Sequence, residues 1–280
     1  MDNTEGANND NNAASSEATT QNNATQPHEN SEKVNQDELI MAQEKKIADD
    51  IKAKINMVEA QIDLDILKKE YANDPVYSLK VESLLQKFSK MRRTRPDGNC
   101  FLRGFIFAYL EHCIHNREEL TRFMIQMDNS KKELRRMAPN WFRGIFHAMF
   151  MEVVCDLESS GSLERVEAVI NDAGTSDYLV VYLRLLISAH LQKNAEFFAF
   201  FIEGGRTVEE FTKQEVEPMY RECDHLHIVA LTTAVGVGVR VIYLDRGEGA
   251  TVASHDFPED KEPVINLLYR PGHYDILYKA

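Results

Sequence analysis

The pattern of hydrophobic and polar positions changes at residue 38. Residues 1–37 are rich in Asn, Thr, Ser, Ala and Glu, and Val34 is their only branched aliphatic residue. A segment with so few apolar side chains cannot bury enough surface to offset the entropy that is lost on ordering. The sequence therefore predicts a disordered acidic tail over residues 1–37.

Isoleucine and valine recur with helical periodicity after Leu39. The intervals between successive positions are seven, four, four, three, four and four residues, so all of them fall on one face of a helix. The positions are Ile40, Ile47, Ile51, Ile55, Val58, Ile62 and Ile66. This pattern predicts one helix over residues 38–67, whose apolar stripe packs on the body of the protein or grips a partner.

A proline-containing turn at residues 73–75 ends that pattern, and a second amphipathic helix follows it. Its inward-facing positions are predicted to be Val76, Leu79, Leu84 and Phe88. A basic cluster at residues 91–96 comes next. Because the chain is acidic as a whole, we interpret this cluster as a solvated loop or as a contact for an acidic partner.

Helices dominate the front of the remaining chain and strands dominate its end. Predicted helices cover residues 101–114, most of 118–175, 178–201 and 224–235, and predicted strands cover 239–244, 264–269 and 273–278. Thr175-Ser176-Asp177 offers the cap of the long helix that starts at Tyr178. This order of elements is typical of an α+β domain.

Composition and charge limit the class of protein. Hydrophobic residues make up 43% of the chain, enough for a sizeable core, and the formal net charge is −13. An acidic surface repels phosphate groups, so nucleic acid and anionic membranes are poor partners. No apolar run approaches the roughly 20 residues of a membrane span, and the four cysteines show no paired spacing. We expect a monomer in the cytoplasm or nucleus, without a metal or cofactor.

The most informative stretch for chemistry is residues 96–101, PDGNCF, a turn that leads into the apolar helix. Cys100 stands at the first turn of that helix, where the positive end of the dipole favours the thiolate. Free N–H groups of the turn could form an oxyanion hole for an acyl-transfer intermediate. From these residues alone, Cys100 is either a nucleophile or a small buried hydrophobe.

A nucleophilic cysteine needs a base, and the candidate is His273. Residues two apart on a strand face the same side, so His273 and Asp275 project together. A carboxylate beside an imidazole fixes its tautomer and stabilises the imidazolium form. Two other histidine clusters, 112–115 and 224–227, suggest metal ligands. The first cannot converge three ligands from one helix, and the second reads better as a polar helix start.

The stretch 95–101, RPDGNCF, resembles the nucleophile motif of the ovarian-tumour (OTU) cysteine proteases. Five further stretches resemble the otubains, which are deubiquitinases of that family. They are TSDYLVVYLRLL, FFAFFIEGGRTVEEF, QEVEPMYRECDHLHIVAL, YLDRGEG and LLYRPGHYDILYK. The resemblance runs from about residue 38 to Lys279, and it is looser over residues 124–145.

The resemblance implies a papain-like α+β fold, with a small mixed sheet packed between helices and an N-terminal helical arm. By position it makes Cys100 the nucleophile, His273 the general base and Asp275 the orienting acid. It also places Asp97 in the active site, where its loop helps to form the oxyanion hole. The positions that it assigns to the distal ubiquitin are Tyr243, Asp245, Tyr269 and Tyr274.

The resemblance further implies a thiol-dependent deubiquitinase that hydrolyses isopeptide bonds in polyubiquitin and favours the proteasome-targeting lysine linkage. The alternative function is a non-catalytic inhibitor that binds ubiquitin-charged conjugating enzymes. The implied organisation is the tail over 1–37, an arm over 38–88 and a catalytic domain over 89–280. The arm would bind the proximal ubiquitin or a partner through Ile47, Ile51 and Ile55.

Overall fold

The computed structural model describes residues 36–137 and 141–280. The predicted disordered tail lies outside the described residues, except for residues 36 and 37, which begin the first helix. The chain divides into two compact units, residues 1–43 and residues 44–280. The second unit carries every element after the first helix.

Eleven α-helices lie in the described part of the chain. They are α1 Gln36–Lys54, α2 Ile66–Glu70, α3 Pro75–Leu85, α4 Cys100–Ile114, α5 Arg117–Met137, α6 Trp141–Ser160, α7 Leu163–Asn171, α8 Ala173–Lys193, α9 Ala195–Phe198, α10 Val208–Phe211 and α11 His225–Val235. The predictions of helices over 101–114, 118–175 and 224–235 are confirmed. Within the described residues, no helix is both long enough and apolar enough to span a membrane.

Six strands form one sheet in the order β1-β2-β6-β5-β3-β4. Their bounds are β1 Ile62–Asp63, β2 Phe88–Arg92, β3 Val239–Tyr243, β4 Ala253–Phe257, β5 Ile265–Arg270 and β6 His273–Lys279. Strands β3 and β5 pair in parallel and the other neighbours pair antiparallel. The sheet is therefore mixed, and the predicted α+β class with a small mixed sheet between helices is confirmed.

Each face of the sheet is covered by its own hydrophobic cluster. The larger cluster joins α4 and the helices around it to one face, and the smaller joins α2 and α3 to the other. Helix α4 packs directly on the sheet, since a Cβ on Gly104 would lie at van der Waals distance from Leu267, 3.5 Å, and from Ile276, 3.6 Å. This close packing fixes the position of Cys100, one turn earlier on the same helix.

The prediction of one helix over 38–67 is wrong after Lys54, where α1 ends. Val58 forms a bridge with Thr94 and Ile62 pairs with Met91, so these two positions belong to the sheet. Ile66 begins the short helix α2. The later positions of the stripe therefore belong to three different elements that pack within the body.

The inward face predicted for the second helix also needs correction. Val76 is 37% exposed and Leu79 is 53% exposed, while Tyr77 and Val81 are buried. Phe88 is buried, as expected, but it lies on β2 and not on the helix. Asp74 caps α3 by accepting hydrogen bonds from two backbone N–H groups, which sets the first turn and hence the buried face.

The long helix predicted over 178–201 begins earlier and ends earlier. Asp172 caps α8 through the N–H of Thr175, so the 175–177 segment lies inside the helix. The helix ends at Lys193, and a short helix and a 3₁₀ turn carry the chain to Phe201. The strands predicted near the C-terminus are confirmed, whereas β1, β2 and β4 were not predicted.

Candidate active site

The turn before α4 places Cys100 at the first helical position. Gly98 has φ of +76°, and a Cβ there would lie 2.4 Å from the carbonyl oxygen of Tyr220. Only glycine tolerates both the left-handed backbone and this close approach. Tyr220 also has a positive φ, of +65°. The turn at Gly98 and the loop at Tyr220 are therefore in direct contact next to Cys100, which is 3% exposed.

Two fully buried features hold this turn in place. The Oδ1 atom of Asn99 accepts hydrogen bonds from Nη2 of Arg184 at 2.7 Å and from the N–H of Tyr220 at 3.2 Å. Arg184 is 0% exposed, and it also donates to the carbonyl oxygens of Val216 and Arg221. A buried arginine therefore connects α8, the turn before Cys100 and the loop behind that turn.

Asp97 lies beside the nucleophile turn, but its carboxylate points to other partners. One oxygen accepts from the N–H of Asn99 at 3.0 Å, and the other pairs with Arg103. Arg103 is 1% exposed and also binds Asp177 at 2.7 Å. Asp97 thus orders the turn. Cys100 is the first residue of α4, so its N–H has no acceptor within the helix and can serve an oxyanion.

His273 follows a tight turn that joins β5 to β6. Arg270 and His273 are paired across the hairpin, Pro271 and Gly272 form the turn, and Gly272 has φ of +75°. A turn with proline first and a glycine of positive φ second is the type II arrangement. Nε2 of His273 lies 2.9 Å from Oδ1 of Asp275. The predicted projection of these two side chains to one side is present.

Asp275 is 0% exposed and has a full set of partners. Besides the ring of His273, it accepts from the N–H of Thr94 at 3.0 Å and from Arg270. Burial alone would raise the pKa of the Asp275 carboxyl, but the hydrogen bond from His273 and the charge of Arg270 lower it below the usual range. The acid is therefore ionised when the enzyme operates near neutral pH.

The imidazole of His273 is stabilised in its charged form. Burial lowers its pKa, but the hydrogen bonds with Asp275 and Cys100 outweigh burial and raise the pKa to about 9. Nε2 is bound to Asp275, and the other ring nitrogen, Nδ1, is buried without a hydrogen-bond partner among the described residues, so Nδ1 is the atom left to serve the thiol of Cys100. The structure therefore brings Cys100, His273 and Asp275 together in the order nucleophile, base and acid.

A cleft of about 430 Å³ opens at Cys100. All four residues predicted to contact the distal ubiquitin line it: Tyr243, Asp245, Tyr269 and Tyr274. The rings of the three tyrosines form a continuous aromatic wall. The ring centroids of Tyr243 and Tyr269 are 5.4 Å apart, and those of Tyr269 and Tyr274 are 5.1 Å apart. Asp245 is held by the ammonium group of the buried Lys80 at 3.1 Å.

Cys223 lines the same cleft but does not resemble a second nucleophile. Burial raises the pKa of its thiol to about 12, so it stays protonated at neutral pH. His225 and His227 nearby begin α11, where Asp224 caps the helix and pairs with the ring of His227 at 2.6 Å. The interpretation of residues 224–227 as a polar helix start is confirmed.

Two of the three arm residues have described side chains, and their environments differ. Ile47 is 50% exposed, whereas the side chain of Ile51 lies outside the described residues. Ile55 is half-buried, and its carbonyl oxygen accepts from Nε and Nη2 of Arg95 at 2.8 and 2.6 Å. The role of these three positions in partner binding stays a prediction.

The interpretation of the basic cluster as a solvated loop is wrong for two of its arginines. Arg92 is 4% exposed and Arg95 is 8% exposed. Arg92 binds Glu167 at 2.8 Å and the hydroxyl of Tyr278 at 3.1 Å. The cluster therefore carries structural ion pairs that tie the strand before Cys100 to its neighbours.

Sequence reasoning missed the buried arginines that surround the site. Arg103 and Arg184 lie on mainly apolar helices, and Arg270 is the last residue of β5. One signal was available, because a lone cation within an apolar helix must find acceptors when it is buried. The pattern does not reveal which acceptors, since Asp97, Asn99 and Asp275 are distant in sequence or on other elements.

Comparison with known proteins identifies the family. The family model described as Peptidase C65 Otubain matches residues 50–279. The chain belongs to the otubain family. It is 49% identical to human ubiquitin thioesterase OTUB1 over 245 residues, which cover 87% of this chain and 90% of the relative. It is 35% identical to human ubiquitin thioesterase OTUB2 over 227 residues, 80% of this chain and 96% of the relative.

Solved structures agree with this assignment. A structure titled as h/ceOTUB1 with ubiquitin aldehyde and UBCH5B~Ub superposes with a TM-score of 0.82 at 34% identity. It covers 87% of this chain and 98% of the solved chain. A ceOTUB1 complex with ubiquitin aldehyde and UBC13~Ub gives a TM-score of 0.81 at 33% identity, over 85% and 99% of the two chains. The chain is a cysteine-type peptidase with the otubain fold.

Proposed function

We propose that this otubain hydrolyses isopeptide bonds in polyubiquitin and favours the lysine linkage that directs proteins to the proteasome. The coarser activity, a cysteine-type ubiquitin hydrolase, follows from the family and from relatives that are ubiquitin thioesterases. The observation that carries the proposal is the assembled Cys100–His273–Asp275 set at the end of an aromatic cleft. A flexible C-terminal peptide such as that of ubiquitin fits such a cleft.

The geometry suggests the order of events. The thiolate of Cys100 attacks the scissile carbonyl carbon while the N–H groups of Gly98 and Cys100 face the developing oxyanion. His273 gives its proton to the leaving lysine amine, and the acyl chain stays on the sulfur as a thioester. His273 then takes a proton from water, which releases the carboxylate product and the thiolate. Asp275 stabilises the imidazolium form, which is present before the first proton transfer and again after the second.

The decisive experiment is incubation of the protein with di-ubiquitins of every linkage, followed by analysis of the products. We expect monomeric ubiquitin from the proteasome-targeting linkage at a much higher rate than from the others. Cys100→Ala is the matched control and should yield none. Cleavage of all linkages at similar rates would contradict the linkage preference, and no cleavage of any linkage would contradict the proposed activity.

A second function, restraint of ubiquitin-charged conjugating enzymes, is favoured by one surface of the molecule. Phe197, Phe200 and Phe201 are 58%, 87% and 55% exposed, and the rings of Phe197 and Phe201 lie 5.2 Å apart. Clustered exposed aromatic side chains mark protein-binding sites. Relatives were solved with UBCH5B~Ub and UBC13~Ub, so we propose that a conjugating enzyme docks on this surface.

Phe200→Glu tests the docking surface separately from catalysis. The substitution should weaken binding of a ubiquitin-charged conjugating enzyme by at least about tenfold, because it places a charge where an apolar anchor docks. Cleavage of di-ubiquitin should stay the same, since residue 200 does not line the catalytic cleft. Glu196→Gln, which changes a side chain on the adjoining helix α9, is the control. Unchanged binding by Phe200→Glu would contradict the proposed surface.

A further inference from the structure

The catalytic hairpin carries a third charged side chain, Arg270, directly opposite His273. Residues paired across antiparallel strands point to the same face of a sheet, and so do alternate residues along one strand. Arg270, His273 and Asp275 therefore share one face. The next residues on each strand, Tyr269 and Tyr274, share the opposite face and line the substrate cleft.

The two carboxylate oxygens of Asp275 have separate partners. Oδ1 accepts from the ring of His273 at 2.9 Å and from the N–H of Thr94 at 3.0 Å, and Oδ2 accepts from Nη2 of Arg270. A carboxylate that binds a base through one oxygen can still rotate about its Cβ–Cγ bond. A cation on the second oxygen stops that rotation and fixes the plane of the group.

Arg270 is itself anchored from the opposite side. Its Nη1 lies 3.6 Å from Oε2 of Glu70, and Tyr71 lines the same pocket as Arg270. The other oxygen of Glu70 pairs with Arg93, in the loop that leads to the nucleophile turn. Glu70 is the last residue of α2, and Arg270 is only 19% exposed. The arginine therefore has little freedom to move away from Asp275.

We propose that Arg270 is a positioning residue of this active site: it holds the carboxylate of Asp275 in the plane that presents Oδ1 to His273. Glu70 holds Arg270 in turn, so α2 supports the catalytic acid. The proposal deepens the proposed function, because it concerns the same cysteine hydrolase site. It depends on the Cys–His–Asp chemistry and not on ubiquitin as the substrate.

The test uses the full-length chain with Arg270→Met and Arg270→Lys. We expect Arg270→Met to lower kcat on di-ubiquitin about tenfold or more, a part of the roughly 10²–10⁴-fold that a positioned acid–base group contributes. KM should stay the same, because Arg270 does not contact the aromatic cleft. The alkaline limb of the pH–rate profile should move to lower pH, since His273 loses its oriented carboxylate. Arg270→Lys should restore part of both.

Arg240→Met is the matched control. Arg240 forms a two-point ion pair with Asp256 on the same sheet, at 2.7 Å for each contact, far from the hairpin turn in sequence. Loss of that pair should leave kcat and the alkaline limb unchanged. If Arg270→Met behaves like this control, or if it lowers the melting temperature while kcat per folded molecule and the limb stay the same, Arg270 has only a structural role.

Two further measurements keep the proposal falsifiable. If Arg270→Met does not fold, Arg270→Lys and Glu70→Gln should each show a smaller loss of kcat with the same direction of shift, and unchanged profiles in both would overturn the proposal. Alkylation of Cys100 by iodoacetamide needs no ubiquitin. At about pH 6.5 it should be slower in Arg270→Met than in the wild type, so the role of Arg270 is tested even if no di-ubiquitin is cleaved.

Discussion

The catalytic hairpin is held by contacts between residues that are close in sequence, whereas the N-terminal segment is held by contacts with residues that are distant in sequence. In the hairpin, His273 binds Asp275 two positions away, and Arg270 pairs with His273 across a two-residue turn. In the segment over 36–88, the N–H of Val58 binds the side chain of Asn171, 113 positions away. Local contacts follow from strand geometry and turn residues, whereas distant contacts depend on the whole fold.

This difference explains why one apolar stripe became several elements. Val58, Ile62 and Ile66 continue the spacing of Ile47 and Ile51, so the sequence pattern alone extends the helix. In the fold, the chain after Lys54 instead pairs with β2 and fills the smaller hydrophobic cluster. Strand pairing and packing on the sheet therefore outweighed the local helical periodicity of the sequence, as tertiary context commonly does.

Cys100→Ala tests the hairpin and turn with the largest expected effect. Removing the sulfur should lower di-ubiquitin cleavage by about 10⁴-fold or more, because no other group in the cleft can form the thioester. The free energy of unfolding should change by less than about 1 kcal/mol, since one atom at a helix start is lost. Cleavage that survives in the purified variant would show that Cys100 is not the nucleophile.

A comparison of Asp275→Asn with His273→Ala tests how much each of the two residues contributes to the rate of cleavage. An asparagine oxygen can still accept from the ring and from Thr94, but it cannot stabilise the imidazolium charge. We therefore expect Asp275→Asn to slow single-turnover cleavage less than His273→Ala, which removes a base worth about 10²–10⁴-fold. Equal damage by the two variants would mean that Asp275 does more than orient and stabilise the ring.

Short sequence motifs predicted the reactive side chains but not the buried side chains that hold them in place. Cys100 was visible as a cysteine that begins an apolar helix, and the pair His273 and Asp275 was visible from strand periodicity. The resemblance to otubains added the aromatic cleft. The buried Arg184 was not visible, because its acceptors come from distant parts of the chain that only the fold brings near. The sheet order was not predicted either, because a strand of two residues such as β1 leaves no periodicity in the sequence.

Leu64→Ala tests where the N-terminal segment joins the body. Leu64 is 0% exposed in the smaller hydrophobic cluster, so its truncation should cost about 2–5 kcal/mol of the free energy of unfolding. Ile47→Ala is the matched control on the exposed part of α1 and should change stability by less than about 0.5 kcal/mol. Urea unfolding measures both. Similar losses in the two variants would mean that the segment is not divided near Lys54.

The raised pKa of His273 gives the hairpin a distinct pH dependence. A group whose pKa is raised in the folded state, here to about 9 from 6.5, adds stability that is fully present below pH 6.5 and is lost as the pH rises through about 9. We expect the wild type to lose more unfolding free energy than His273→Ala between about pH 6.5 and pH 9.5. Parallel losses in the two proteins would show that the contacts with Asp275 and Cys100 do not favour the imidazolium.

The smallest expected effect separates partner binding from folding in α1. Ile47 is half exposed and follows the exposed Lys46, so Ile47→Glu adds a charge to the apolar stripe without disturbing the body. If the stripe grips the proximal ubiquitin, KM for di-ubiquitin should rise about three- to tenfold while kcat stays the same, because binding energy on one side of the scissile bond is lost. Labelling by a ubiquitin-based thiol probe, which needs only the distal cleft and Cys100, should not change.

Lys46→Glu alters the charge at the next position but not the stripe, and it should leave KM near the wild-type value. A KM that is unchanged in Ile47→Glu, or raised equally in both variants, would rule out gripping by this stripe.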